Sequence, residues 1–254
     1  MSSGNEVVII TGGNNGIGFH MASSLLKDGY NVAVFDLFAE NLSQLMSDHS
    51  DSLLFRKCDV TSDKEVKEAV DAVMGKWGRI DILVNNACIA VFKPFEEKSV
   101  EETKKEFEVN YFGYIRMIEA VLPHMKARKS GIIHNMSSGV GITGFSGIYG
   151  YASTKGAIEA MTRTLALEFE KYGICVDLMH PPITDTKSAS PLGIPKEAMA
   201  NPADIGTDLA KKIRSKKPVV AANFQTAAYL FLAYRFPVAV GRFFTKMTER
   251  SKKR

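Results

Sequence analysis

Tyr151 and Lys155 lie four residues apart in Tyr151-Ala152-Ser153-Thr154-Lys155, and Ser138 lies thirteen residues before the tyrosine. On a helix, a spacing of four puts two side chains on one face, about one turn apart. A lysine ammonium beside a phenol favours the phenolate, so Tyr151 is expected to have its pKa drawn down from about 10. Such a tyrosine can give and take a proton near neutral pH. Taken alone, the pair fits many surface helices. Its context lies at the other end of the chain.

There the apolar run Val7–Thr11 leads into Gly12-Gly13-Asn14-Asn15-Gly16-Ile17-Gly18 and then a helical stretch. Glycines let the backbone turn sharply and approach a pyrophosphate, which sits at the positive end of the following helix. Gly12, Asn15, Gly16, Ile17 and Gly18 are therefore candidate dinucleotide contacts. Asp36 ends the second apolar run, eighteen residues past Gly18, and no Arg or Lys lies in the loop or in Asp36–Ala39. A carboxylate there accepts hydrogen bonds from free ribose hydroxyls and repels a 2′-phosphate, so the reading is NAD(H) rather than NADP(H). Asp59 and Val60 follow the third run, where the carboxylate can reach an adenine amino group. Asn86 and Ala87 follow the fourth, where small residues admit a ribose.

These residues need strands to hold them, and the pattern supplies strands. Short apolar runs at Val7–Thr11, Asn31–Asp36, Leu53–Lys57, Ile82–Asn85, Ile132–Met136 and Cys175–Met179 alternate with helical stretches at Gly18–Asp28, Asp63–Trp77, Val100–Lys126 and Tyr151–Tyr172. That alternation predicts an α/β fold, a single Rossmann-like doubly wound parallel sheet over residues 1–254. Residues 183–204, rich in proline and small polar residues, read as a mobile substrate lid. A helix is expected at Ala203–Ser215 and a short strand at Pro218–Ala222, followed by an apolar and basic helical appendage at 223–254.

The chain of 254 residues is 45% hydrophobic, enough to bury a full core. Cys58, Cys88 and Cys175 are scattered and odd in number, which suggests structural thiols and a cytoplasmic, reducing setting. Val7–Ile10 reads as a strand rather than a signal core, and no stretch of about 20 apolar residues suits a spanning helix. Histidines 20, 49, 124, 134 and 180 show no metal-ligand spacing, so no metal is expected, and His180 reads as structural. From Lys211 onward twelve Lys and Arg face one acid, Glu249, while positions 1–210 hold 20 basic and 27 acidic residues. The basic surplus thus belongs to the C-terminal fifth. Peripheral contact of residues 224–254 with an anionic membrane, and packing over the cleft or against a partner subunit, both stand open. No recognition motif points to nucleic acid.

With these motifs together, the chain resembles the short-chain dehydrogenase/reductase family. The matching residues are Thr-Gly-x-x-x-Gly-x-Gly at 11–18, Asn-Asn-Ala at 85–87, Asn110, Ser138 and Tyr151-x-x-x-Lys155, over about residues 5–186. The resemblance implies interconversion of alcohols and carbonyls with a nicotinamide dinucleotide, and a homodimer or homotetramer built through the helices of 100–126 and 151–172. It implies Tyr151 as general acid or base and Lys155 on the nicotinamide ribose. It implies Ser138 on the substrate oxygen, Asn110 holding a relay water and Thr184 touching the cofactor. Tyr149 lacks a lysine four residues on, and Ser137 points away from Ser138 by strand alternation. Two departures stand out. Cys88 replaces the glycine that usually follows Asn-Asn-Ala, and Pro182 replaces the glycine of a Pro-Gly pair, which is expected to reshape the loop carrying Ile183 and Thr184. The apolar C-terminal segment favours a lipophilic small-molecule substrate. The alternatives are a non-catalytic NAD(H) sensor and a membrane-associated interaction protein on the same fold.

Overall fold

A computed structural model describes residues 6–252. Seven strands, β1 (Val7–Thr11), β2 (Asn31–Asp36), β3 (Leu53–Lys57), β4 (Ile82–Asn85), β5 (Gly131–Met136), β6 (Ile174–His180) and β7 (Val219–Ala221), form one sheet in the order β3-β2-β1-β4-β5-β6-β7. All neighbours pair parallel. The helices are α1 (Gly16–Lys27), α2 (Ser43–Asp48), α3 (Asp63–Trp77), α4 (Val100–Phe107), α5 (Gly113–Arg128), α6 (Val140–Thr143), α7 (Tyr149–Phe169), α8 (Pro202–Ala210), α9 (Phe224–Arg235) and α10 (Pro237–Lys252).

Strand alternation splits the core into two layers. Val8, Ile10, Val32 and Val34 face α1 and α8 through Met21, Leu25, Ile205 and Leu209. Val7, Ile9, Ala33 and Phe35 face α3 and α5 through Val66, Val70, Met117 and Val121. Both faces are covered, which is why the strands read as continuous apolar runs. The chain steps outward from β1 to β3 and then returns to the far side of β1 at β4. This reversal opens a crevice at the carboxyl ends of β1 and β4, where ligands bind in such sheets.

The expected helices differ in detail: α1 begins at Gly16 rather than Gly18, and α7 runs from Tyr149 to Phe169 with a 3-10 turn to Tyr172. The stretch from Val100 is broken by a π-helical turn at Glu108–Phe112 before α5 begins. The stretch from Ala203 ends at Ala210, and a tight turn follows that presents the Ile213 carbonyl to His134 Nε2 at 2.7 Å. The segment 183–204 carries two short 3-10 turns, Ser190–Leu192 and Lys196–Ala198, and is tied back by a bridge between Thr184 and Ala200. The last two residues of the expected appendage, 253 and 254, lie outside the described residues. Among the described residues no helix is long and apolar enough to cross a membrane, and no group of His, Cys, Asp or Glu could hold a metal ion.

Candidate active site

One cleft of about 930 Å³ lies at the carboxyl ends of the strands. It is lined by Gly12, Asn15, Gly16, Ile17, Asp36, Asp59, Val60, Asn86, Ala87, Ser138, Tyr151, Lys155 and Thr184. Of the residues expected from sequence, Gly18 and Asn110 stand behind this wall.

The dinucleotide end is shaped by close backbone packing. Gly12 has φ +66°, and a Cβ there would fall 2.8 Å from Ala87 Cα. A Cβ on Gly18 would fall 2.5 Å from the Gly12 carbonyl oxygen and 2.6 Å from Asn86 Nδ2. Asn86 explains the crowding: its Nδ2 donates to the carbonyls of Thr11 (3.0 Å) and Gly12 (2.9 Å). Its amide is therefore committed to bracing the loop. Thr11 Oγ1 completes the brace by accepting from the amides of Asn86 and Ala87. Asn15 occupies the cap position of α1 without a side-chain cap bond, which leaves the helix N-terminus for an anion.

Asp36 is oriented by a residue that sequence reading passed over. The Asn14 amide donates to Asp36 Oδ2 at 3.0 Å, while Asn14 Oδ1 accepts from the Asn41 amide at 3.0 Å. Asp59 Oδ1 accepts from the amide and hydroxyl of Thr61 at 2.9 and 2.8 Å. A crowded glycine loop, an uncapped helix N-terminus and a held carboxylate together fit a dinucleotide.

At the other end, Tyr151 stands in the first turns of α7, with the Phe92 ring edge-on at 5.9 Å. Lys155 is 1% exposed and donates to the Met136 carbonyl at 2.7 Å, with Nζ 5.7 Å from the Tyr151 ring centre. The expected lowering of the Tyr151 pKa is not found. Burial pushes the phenol well above 10, the neighbouring Cys88 and Glu106 push the same way, and Ser138 alone opposes them. Burial also lowers the Lys155 pKa, against Cys88 and Glu159. Desolvation disfavours whichever form is charged, and for both groups it is the largest cause.

Asn110 sits fully buried in the π-helical turn. Its Oδ1 accepts from the Ile89 amide (2.8 Å), and its Nδ2 donates to the Ile89 carbonyl (2.9 Å) and Thr154 Oγ1 (3.1 Å). It clamps the loop after β4 to α7. That loop is fastened again by the buried ion pair of Lys98 and Glu106, which bonds both the carbonyl and the amide of Val91. Tyr149 faces away, its hydroxyl 3.0 Å from Thr103 Oγ1. Ser137 and Ser138 separate as expected: Ser138 lines the cleft, and Ser137 donates to Glu159 Oε1 at 2.7 Å. Cys88 is a half-buried free thiol on the cleft wall, and Pro182 accepts at its carbonyl from Thr184 Oγ1 at 2.8 Å.

Glu159, one turn beyond Lys155, joins elements that the sequence gives no hint of connecting. His180 Nε2 lies 2.9 Å from its Oε1, while Arg163 Nη1 (3.0 Å) and the Tyr234 hydroxyl of α9 (2.7 Å) donate to its Oε2. Burial pushes this carboxyl up, but His180, Ser137 and Tyr234 together hold it at about 2.

Comparison with known proteins agrees with this architecture. The short chain dehydrogenase family profile matches residues 6–196. An L-fucose dehydrogenase of Bos taurus is 33% identical over 69% of this chain, and the match spans 65% of the bovine protein's length. A cis-2,3-dihydrobiphenyl-2,3-diol dehydrogenase of Pseudomonas putida is 32% identical over 91% of this chain and 84% of its own. A short-chain dehydrogenase from Streptomyces avermitilis superposes with a TM-score of 0.81 at 26% identity, covering 98% of this chain and 97% of its own. Two further similar structures hold dinucleotides, both at 26% identity. They are a 3-ketoacyl-(acyl-carrier-protein) reductase from Brucella melitensis with NADH (TM-score 0.77, covering 85% and 96%) and ElxO with NADP (0.78, covering 88% and 99%). The profile match, the parallel sheet and the arrangement of the cleft establish that this chain belongs to the short-chain dehydrogenase family.

Proposed function

We propose that the chain is an NAD(H)-dependent oxidoreductase that interconverts a lipophilic secondary alcohol and its ketone, with Tyr151 as the proton donor and acceptor. The observation that carries this reading is that one cleft is lined by both the glycine loop and Ser138, Tyr151 and Lys155.

The bound dinucleotide supplies or takes the hydride; the chain supplies position and electrostatics. Gly12, Asn15, Gly16 and Ile17 would hold the pyrophosphate, Asp36 the adenosine ribose, and Asp59 and Val60 the adenine. Ala87 and Thr184 would border the nicotinamide half, with Gly18 and Asn86 keeping the loop in shape. Ser138 is placed to hydrogen-bond the substrate oxygen and stabilise its developing charge. Tyr151, held neutral by burial, is set to donate its proton in reduction. Lys155 keeps donors beyond the Met136 carbonyl for ribose hydroxyls. Asn110, already bonded to Ile89 and Thr154, would act by holding the loop opposite Tyr151.

Asp36 favours NAD(H), because its carboxylate would meet a 2′-phosphate charge to charge. Apolar Ala90, Phe92, Val140, Phe145, Ile148 and Leu192 line the cleft around Tyr151 and suit a lipophilic substrate. Residues 183–204 would form the lid. The outer face of α7, with Leu167 77% exposed, suits a subunit contact in a homo-oligomer. The test is turnover of secondary alcohols and ketones of increasing chain length with NAD(H). Specificity rising with apolar length supports the reading. Tight NADH binding without turnover across the panel would replace it with a sensor role.

A further inference from the structure

The hairpin of α9 and α10 has two unlike sides. Its inner side is fastened to the rim of the cleft. Tyr229 packs on Gly139, Phe244 stacks on Phe145 at 6.0 Å, and the Ser146 amide donates to Thr245 Oγ1 at 3.1 Å. Its outer side is uncovered among the described residues. Phe224 is 86% exposed, Phe231 73%, Val238 64% and Phe243 65%, with Leu232 and Phe236 about half exposed. On α9 the exposed positions 224, 228, 231 and 235 recur every three or four residues; on α10, 238, 242 and 246 do the same. Each stripe mixes apolar residues with the exposed cations Arg235, Arg242 and Lys246.

We propose that this face is a docking surface for an anionic lipid bilayer. Exposed large apolar side chains cost solubility unless something covers them. Charge selects the occupant. From Phe224 onward the chain holds seven Lys and Arg and one acid, a net +6, whereas residues 1–223 hold 25 basic and 27 acidic residues, a net −2. A second copy would set like charges against one another, while anionic headgroups pair with them and admit the phenylalanines to the acyl boundary. Among the described residues no helix is long and apolar enough to cross a membrane, and the proposed contact is a peripheral one.

The inner side of the same hairpin borders the cleft. A small cavity of mixed lining, with Phe92, Lys93, Phe145, Ser146, Leu192 and Thr248, adjoins the main cleft and reaches α10. A hydrophobic molecule leaving the contacted leaflet would pass this cavity and the Phe92, Phe145 and Leu192 side chains it shares with the main cleft on the way to Tyr151. This delivery route rests on the proposed dehydrogenase function; the docking surface does not.

The test is co-sedimentation of the full chain with vesicles of phosphatidylcholine alone or with phosphatidylglycerol as minority lipid, without cofactor. The double variants Arg235→Glu/Arg242→Glu and Phe231→Ser/Phe243→Ser are run alongside. Wild type is expected to pellet with the anionic vesicles and to bind neutral ones roughly tenfold less or weaker. Each variant is expected to lose roughly tenfold in partitioning while keeping the wild-type circular-dichroism spectrum and thermal melt, which certify its fold. Equal partitioning to both vesicles, no pelleting, or variants that bind like wild type would overturn the proposal. So would a dimer in sedimentation velocity that Phe231→Ser/Phe243→Ser dissociates while vesicle binding persists. None of these readouts depends on turnover, so the docking surface and the enzyme reading fail separately.

Discussion

Replacing Glu159 with Gln probes how α7, which carries Tyr151 and Lys155, is tied to the C-terminal hairpin. The carboxyl lies at about 2 in the folded chain against an ordinary 4.5, a difference worth about 3 kcal/mol. Glu159 is 3% exposed, so solvent screens little of this. Because folding lowers the pKa, the stabilisation is complete above pH 4.5 and drains away as pH falls towards 2. Roughly 1 kcal/mol is lost by about pH 4 and roughly 2 kcal/mol by about pH 3. Glutamine cannot titrate, and the other carboxylates cancel in the difference between the two proteins. Urea denaturation of wild type and Glu159→Gln at about pH 7, 4 and 3 should therefore show a stability gap that closes by those amounts. A gap that stays constant over that range would refute the view that an ionised Glu159 holds His180, Ser137 and Tyr234 together.

Two further substitutions address the cofactor end. Asp36→Ala removes the anchor of the Asn14 amide and the proposed acceptor for ribose hydroxyls, so NADH affinity should fall at least about tenfold while NADPH affinity does not fall; fluorescence titration reads both, and a wild type that prefers NADPH would overturn the assignment. Gly18→Ala places a methyl group 2.5 Å from the Gly12 carbonyl and 2.6 Å from Asn86 Nδ2. Overpacking of this kind costs about 1–3 kcal/mol, so thermal stability and dinucleotide affinity should drop together, and unchanged affinity would show that the loop is not the binding element.

Most of the scaffold was legible because buried parallel strands are written as apolar runs. β1, β2, β3 and β4 begin and end at the expected residues, and β5 and β6 are longer by one or two. That the candidate residues gather in one cleft was legible because their placement depends on spacing along strand ends. Burial was not legible. Lys98, Glu106 and Glu159 look like solvated helix charges in a string of letters, yet they lie inside the protein and fasten the walls of the site. The direction of the Tyr151 pKa was not legible for the same reason: a spacing of four identifies a charged neighbour but not the burial that pushes the phenol up. The π-helical turn at Glu108–Phe112 was hidden because one inserted residue scarcely alters an amphipathic pattern. Long-range partners, such as Tyr234 with Glu159, leave no local trace at all.

The most direct test of the account is Tyr151→Phe, assayed for NADH binding by fluorescence and for ketone reduction in steady state. The change deletes one hydroxyl and leaves the ring against Phe92. Loss of a positioned proton donor costs about a hundredfold to ten-thousandfold in rate. The account predicts a fall in kcat of that size with NADH affinity kept. Near-wild-type turnover would contradict it and move the proton to another group on the cleft wall.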